Sequence, residues 1–197
     1  STSKGIEVEY DICIFATGSK AFVLPIPGSN LPSVIGWRTI DDTNKMIEIA
    51  QTKKRAVVIG GGLLGLECAR GLLDQGMEVT VLHLADWLME MQLDRKAGEM
   101  LKADLEKQGM KIELQANSKE IIGDKDVEAI KLADGRVIET DLVVMAVGIR
   151  PYTEVAKDSG LDVNRGIVVN DYMQTSDSHI YAVGECAEHD GKEIGRA

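Results

Sequence analysis

Cysteine is scarce and scattered. Cys13, Cys68 and Cys186 stand far apart in apolar or helical stretches, and no Cys-x-x-Cys occurs. That spacing excludes a zinc knuckle and a local redox pair, and lone buried thiols in a reduced cytoplasm are the simplest reading. Positive charge is also in short supply. Lys and Arg number 22 against 32 Asp and Glu, giving a formal net charge of −10 and a sequence pI of about 4.8. An acidic surface repels a phosphate backbone, so nucleic acid is not an expected partner. No uninterrupted apolar run is long enough to span a bilayer, and a membrane is not expected either. No signal peptide, internal repeat or low-complexity tract is visible. The chain opens on Ser rather than Met, so its natural start is expected to lie upstream.

What the sequence does hold is organised around Arg55-Ala-Val-Val-Ile-Gly-Gly-Gly-Leu-Leu-Gly-Leu-Glu67. The apolar run Ala56 to Ile59 reads as a buried strand. Gly60-x-Gly62-x-x-Gly65 has dinucleotide-binding spacing, and Leu63 to Gln75 reads as the following helix, stopped at Gly76. The first glycine permits a tight turn, the second lets backbone N–H groups approach a pyrophosphate, and the third lets helix and strand pack closely. A helix start adds unpaired donors and partial positive charge suited to a diphosphate. A second strand, Met77 to His83, follows at about the twenty-residue spacing of a βαβ unit. The plain alternative is a structural βαβ turn without a ligand.

Hydrophobic residues make up 44% of 197, enough for a real core. Strands are expected at Ile6–Glu9 and Tyr10–Ala16, then a Pro- and Gly-rich connection over Ala21–Pro32. A helix over Asp41–Ala50 follows, capped by Thr39 or Asp41, with Met46, Ile47 and Ala50 inward. The glycine-loop helix is apolar almost all round, through Leu63, Leu64, Leu66, Ala69, Leu72 and Leu73, as in a helix buried on two sides. A third helix, Leu93–Gln108, places Leu93, Ala97, Met100, Leu101 and Leu105 on one stripe. Short strands come next: Lys111–Ala116, Ser118–Ile122, Val127–Leu132 and Arg136–Glu139, with a hairpin at Asp134-Gly135. Leu142–Val147 is apolar throughout, as in a central parallel strand. Gly148 to Pro151 breaks the pattern. A short helix over Thr153–Ser159 and strands at Gly166–Asn170 and Ile180–Val183 complete the reading. The last strand has no evident partner, which suggests a piece of a larger protein. The expected domains are residues 1–33, 34–149 and 150–197.

Four strings, in order, resemble pyridine nucleotide–disulfide oxidoreductase-type flavoproteins: Tyr10-Asp-Ile-Cys-Ile-Phe-Ala-Thr-Gly-Ser19, the glycine loop, Val143-Val-Met-Ala-Val-Gly-Ile-Arg-Pro151 and Ile180-Tyr-Ala-Val-Gly-Glu185. Within that group, Leu88-Met-Glu-Met-Gln-Leu-Asp-Arg95 and Gly184-Glu-Cys-Ala-Glu-His189 resemble large subunits of bacterial NAD(P)H-dependent nitrite reductases. The resemblance implies an α/β fold: a Rossmann-like NAD(P)-binding domain with a β-meander, flanked by incomplete pieces of a FAD-binding domain. It implies that Gly60, Gly62, Leu63, Leu64 and Gly65 hold the pyrophosphate of NAD(P)H. Glu67 matches an acid near the nicotinamide, against the plain alternative of a solvated first-turn acid favoured by the helix dipole. Gly148 would sit beside the dinucleotide. Thr17 and Gly18 would lie near FAD, with Gly184 and Glu185 at the flavin's sugar-like chain. The family usually has Asp where Glu185 stands.

His83 departs from the pattern. NAD-preferring domains usually end this strand in a carboxylate that meets the adenine ribose, and His does not repel a 2′-phosphate. No Arg follows to bind that phosphate, so the choice between NADH and NADPH stays open. His83 lacks a second ligand at workable spacing, Cys186 and His189 form an isolated pair, and no metal site is expected. The Met89, Met91 and Met100 side chains read as packing. Asp41-Asp42 reads as helix capping.

The implied function is electron entry. Hydride passes from NAD(P)H to FAD in the intact enzyme, and electrons move on to iron–sulfur and sirohaem centres outside this segment, for nitrite reduction. The cysteine clusters those centres need are absent here. Implied partners are the dinucleotide, the remaining domains of the same chain and a possible small subunit. Alternatives are a ferredoxin or rubredoxin reductase, an NADH oxidase, or a non-catalytic dinucleotide sensor. The segment alone, lacking the flavin domain's own glycine loop, is expected to keep weak dinucleotide affinity without flavin or turnover.

Overall fold

A computed structural model describes residues 5–194. The chain forms two compact units, one from residues 5–20 with 149–194 and the other from Ala21–Gly148. The expected connection over Ala21–Pro32 therefore lies with the second unit. The reason is local: Ile121 N–H donates to Pro27 C=O, and Ser33 N–H donates to Asp126 Oδ1.

In chain order the first elements are β1 (Cys13–Phe15) and β2 (Ser19–Ala21). The second unit then runs β3 (Val34–Gly36), α1 (Ile40–Ala50), β4 (Arg55–Ile59), α2 (Leu63–Asp74), β5 (Glu78–Leu82), α3 (Arg95–Lys107) and β6 (Lys111–Glu113). It continues through β7 (Ser118–Ile122), β8 (Ala129–Leu132), β9 (Val137–Glu139) and β10 (Leu142–Met145). The chain returns to the first unit with β11 (Ile149–Pro151), α4 (Glu154–Asp158), β12 (Ile167–Val168), β13 (Ile180–Ala182), a 3-10 turn (Gly184–Cys186), β14 (Ala187–His189) and β15 (Lys192–Glu193).

The sheet of the second unit has the order β3-β10-β4-β5-β6, all parallel. β10 is apolar throughout, and β4 from Ala56 to Ile59, because both faces are covered. Ala56, Val58, Val79, Val81, Leu142 and Val144 join the core shared with α1, α2 and α3. Their alternates Val57, Ile59, Leu82, Val143 and Met145 pack with Ile121, Ile130 and Leu132 of the antiparallel β7-β8-β9 meander. Each such fully buried side chain contributes roughly 1.5–3 kcal/mol relative to exposure. Gly135 takes a left-handed φ of 93° in the β8–β9 turn.

Helix starts follow side-chain chemistry. Thr39 and Asp42 form a reciprocal capping box on α1, and Asp94 caps α3 by accepting the Ala97 N–H at 2.9 Å. On α1 the inward face is Met46, Ile49 and Ala50; Ile47 is exposed. On α3, Gly98 sits so close to Trp87 that a Cβ would lie 2.6 Å from its ring. This contact turns Ala97, Gly98, Leu101 and Leu105 inward and leaves Met100 outside the expected stripe.

In the first unit, β1 pairs in parallel with β13, so the strand expected to lack a partner has one. β2 pairs with β11, and β12-β14-β15 form a small mixed sheet. The core is Ala156, Leu161, Ile167, Val169, Ile180, Ala182, Cys186 and Ala187. Buried Glu188 accepts N–H groups of Arg165 (2.8 Å) and Gly166 (2.9 Å) and the Asn164 side-chain amide, fixing the turn before β12. Residues 6–9 form no strand, and Ile6 and Val8 are exposed. The three cysteines are free, with Cys13 half-buried rather than buried.

Candidate cofactor site

In the nucleotide unit the site is built where β4 ends. Gly60 has a left-handed φ of 121°, and its N–H donates to Leu82 C=O at 2.8 Å. A Cβ on Gly60 would meet Ala146 O at 2.3 Å, and one on Gly65 would meet Gly60 O at 1.9 Å. Both glycines are thus required by the fold itself. Gly62 differs: it is the N-cap of α2 with φ −89° and ψ −173°, and no atom lies within 4 Å of its missing Cβ. The first helical bond runs from Leu66 N–H to Gly62 C=O at 3.0 Å, and no side chain caps the helix. The N–H groups of Leu63, Leu64 and Gly65 therefore precede the helical ladder and point out of its positive end. This open, donor-rich cradle fits a diphosphate.

Leu63 and Leu64 are exposed at this mouth, so α2 is not buried all round; its inward face is Gly65, Cys68, Ala69 and Leu72. Glu67 is exposed in the second turn, and the first turn holds no acid. Glu67 is thus solvated, as the plain alternative has it, but lies beyond the first turn where the helix dipole would favour it most. β10 runs beside β4, with Met145 opposite Ile59 and Ala146 N–H donating to Ile59 C=O. Ala146 to Gly148 thus leave the sheet at the same end as the glycine loop, and Gly148 has a left-handed φ of 111°.

His83 points inward, not to solvent. It is 7% exposed, and its Nδ1 accepts the Gly61 N–H at 3.0 Å. Its Nε2 lies 2.9 Å from Glu90 Oε2. A backbone N–H can only donate, so Nδ1 is the bare nitrogen and Nε2 carries the proton given to Glu90. Gly61 is fixed by this packing: a Cβ would fall 2.6 Å from Leu88 and 2.7 Å from the imidazole. Met89 N–H donates to Gly61 C=O at 3.0 Å, so the segment after β5 folds back onto the loop.

In the first unit, β1 and β13 run parallel, with Phe15 opposite Ala182. Their following turns, Thr17-Gly18-Ser19 and Gly184-Glu185, therefore stand side by side. Ser19 Oγ donates to Glu185 Oε2 at 2.8 Å, and Thr17 Oγ1 donates to Tyr152 C=O at 2.9 Å. Gly18 and Gly184 both have left-handed φ, 65° and 74°, with open space where a Cβ would be. Glu185 is half-buried, and the Ser19 hydroxyl orients its carboxylate.

Sequence reasoning missed Gly61, Ser19 and Glu90. Three consecutive glycines were a signal for Gly61, because the spacing needs only two of them. Glu90 carried none, since its relation to His83 depends on the chain's path after β5. Among the described residues no His, Cys, Asp and Glu cluster could hold a metal, and no helix is long and apolar enough to cross a membrane.

A parallel sheet with this glycine loop at a strand end defines a Rossmann-type unit in an α/β protein. The chain belongs to the pyridine nucleotide-disulphide oxidoreductase family, whose model matches residues 1–197. It is similar to the NAD(P)H nitrite reductase of Bacillus subtilis, 58% identical over 94% of this chain and 23% of that protein. It is also similar to the assimilatory nitrate reductase electron transfer subunit of the same organism, 45% identical over 98% of this chain and 25% of that protein. Among solved structures, a ferredoxin reductase from Rhodopseudomonas palustris superposes with a TM-score of 0.90 at 33% identity, over 95% of this chain and 47% of that one. The chain thus spans about a quarter of the length of the two Bacillus proteins.

Proposed function

We propose that this chain is the dinucleotide-docking part of an NAD(P)H-dependent flavoprotein reductase serving nitrite reduction. The observation that carries the reading is Gly62: open space, extended backbone and uncapped helix donors coincide at one residue. Gly60, Gly62, Leu63, Leu64 and Gly65 would hold the pyrophosphate on main-chain N–H groups. Glu67 and Gly148 would lie toward the nicotinamide. Thr17, Gly18, Gly184 and Glu185 would meet the flavin, with Ser19 aiming the Glu185 carboxylate at a hydroxyl. When bound, NAD(P)H supplies a hydride and FAD receives it. The residues here bind and orient, and no side chain need move a proton for that transfer.

Partners in this reading are the other domains of the parent chain, with its iron–sulfur and sirohaem centres, and a small subunit. Free thiols fit a cytoplasmic setting. The likeness to nitrite reductase at 58% identity supports nitrite as the final acceptor. The ferredoxin-reductase likeness keeps a redox-protein acceptor as a second reading. The test is oxidation of NADH and NADPH by the intact protein with nitrite, a small redox protein or oxygen as acceptor. Turnover with nitrite is the expected result. Turnover confined to a redox protein favours the second reading, and oxygen alone an NADH oxidase. Failure to bind either dinucleotide removes the proposal.

A further inference from the structure

The end of β5 carries a carboxylate that the sequence position hides. In a βαβ dinucleotide unit the acid that meets the adenosine ribose normally ends the second strand. Here that place is taken by His83, which turns inward and spends Nδ1 on the Gly61 N–H. Its other nitrogen holds Glu90 at 2.9 Å. The imidazole thus fills the room of a strand-end acid and passes the carboxylate position outward by one ring. The Glu90 side chain is 35% exposed, against 8% for that of His83, so it reaches the surface while remaining anchored.

A second observation concerns the backbone. Met89 adopts a left-handed φ of 58°, a conformation that strains a residue with a β-carbon. The chain holds it through Met89 N–H to Gly61 C=O, and through Gln92 and Leu93 N–H to Met89 C=O, both at 2.8 Å. This bend brings residue 90 back to the strand end. Strain retained beside a binding loop points to a positioning demand there.

We propose that Glu90, held by His83, is the specificity-determining carboxylate at the adenosine ribose. It accepts from ribose hydroxyls and repels a 2′-phosphate, so the chain favours NADH over NADPH. The proposal rests on the glycine loop being the pyrophosphate cradle. Its attraction to hydroxyls is short-range, while its repulsion of a phosphate acts across several ångströms at a half-exposed site.

The test is calorimetric titration of the intact protein with NAD+ and with NADP+, which need no turnover. Wild type should bind NAD+ at least tenfold more tightly than NADP+. Glu90→Gln keeps an acceptor for the His83 Nε2–H and removes only the charge. It should tighten NADP+ about tenfold and weaken NAD+ no more than a few-fold. His83→Phe, which fills the ring's place but releases Glu90, should lose discrimination in the same direction. A wild type that binds NAD+ but does not discriminate would overturn the Glu90 assignment alone, as would an unchanged ratio in Glu90→Gln. A wild type that binds neither dinucleotide would overturn the cradle as well.

Discussion

Alanine at Gly62 and alanine at Gly65 should separate ligand space from folding space within one loop. At Gly62 the backbone is extended, at φ −89° and ψ −173°, and a Cβ meets nothing within 4 Å. Alanine is a poorer N-cap than glycine by roughly 0.5–1 kcal/mol, and its stiffer unfolded chain returns about 0.4–1 kcal/mol. The net is close to zero, a melting shift of no more than about 2 °C. At Gly65 the Cβ would lie 1.9 Å from Gly60 O and 2.8 Å from Gly60 C, both backbone atoms that cannot rotate away. Overpacking of this kind costs roughly 3 kcal/mol, or about 6–12 °C in a domain of this size. Binding should respond otherwise. If the proposed site is right, the Gly62 methyl enters the space a phosphate would take at the helix donors, and affinity for NAD+ should fall at least about tenfold, or roughly 1.4 kcal/mol. Circular-dichroism melts and calorimetric titrations of both variants provide the readout. A Gly62→Ala protein that melts normally and binds NAD+ as tightly as wild type would refute the site. One that fails to fold would refute the open geometry.

Three further outcomes follow from buried or paired groups. Burial pushes the Cys68 thiol up to about 12, so it should resist alkylation at pH 8 in the native protein and react once denaturant is added; prompt native labelling at Cys68, read by mass spectrometry, would contradict this. The Arg55 guanidinium, and then the Arg55 and Lys54 N–H groups, hold the Asp141 carboxyl below its usual range against the effect of burial. Its contribution is therefore present above about pH 4, the ordinary unfolded value, and fades as pH falls through the lower folded value. Asp141→Asn should flatten the acid limb of a denaturation curve and lower stability at pH 7, and an unchanged acid limb would exclude the pair as its origin. Glu188→Ala strands the N–H groups of Arg165 and Gly166 and should cost about 2 kcal/mol or more. A wild-type midpoint in a chemical melt would show that water replaces the carboxylate.

The second unit was largely legible because its signals are local. Val57 and Val58 both had to be apolar for a strand covered on two faces, and glycine spacing marked the turn after it. What stayed hidden depended on contacts between distant residues. Nothing in the α3 stripe says that Gly98 will dock on Trp87 and leave Met100 outside. The run 6–9 alternates like a strand, but alternation alone does not make one, and its apolar residues Ile6 and Val8 stay exposed. In the first unit the two turns could be found from their Gly and acid residues. The Ser19–Glu185 bond that orients them required the parallel pairing of β1 with β13.

His83→Glu makes the strongest demand on the loop. On sequence alone this change installs the usual strand-end carboxylate and should move preference toward NADH. The structure alters that expectation. A glutamate at 83 could still accept the Gly61 N–H, but it has no proton to give Glu90, whose Oε2 now lies 2.9 Å from the imidazole. Two carboxylates would then face each other beside the glycine loop, whose Gly61 N–H the residue at 83 must still accept. Like charges this close disfavour double ionisation, so one must take up a proton or swing away. The single variant should therefore lose stability and bind both dinucleotides more weakly, whereas His83→Glu with Glu90→Gln should recover both stability and NAD+ preference. Non-additivity in a double-mutant cycle of melting midpoints and NAD+ affinities measures the coupling. Additive effects of the two substitutions would mean that the His83–Glu90 contact does not govern this end of the strand.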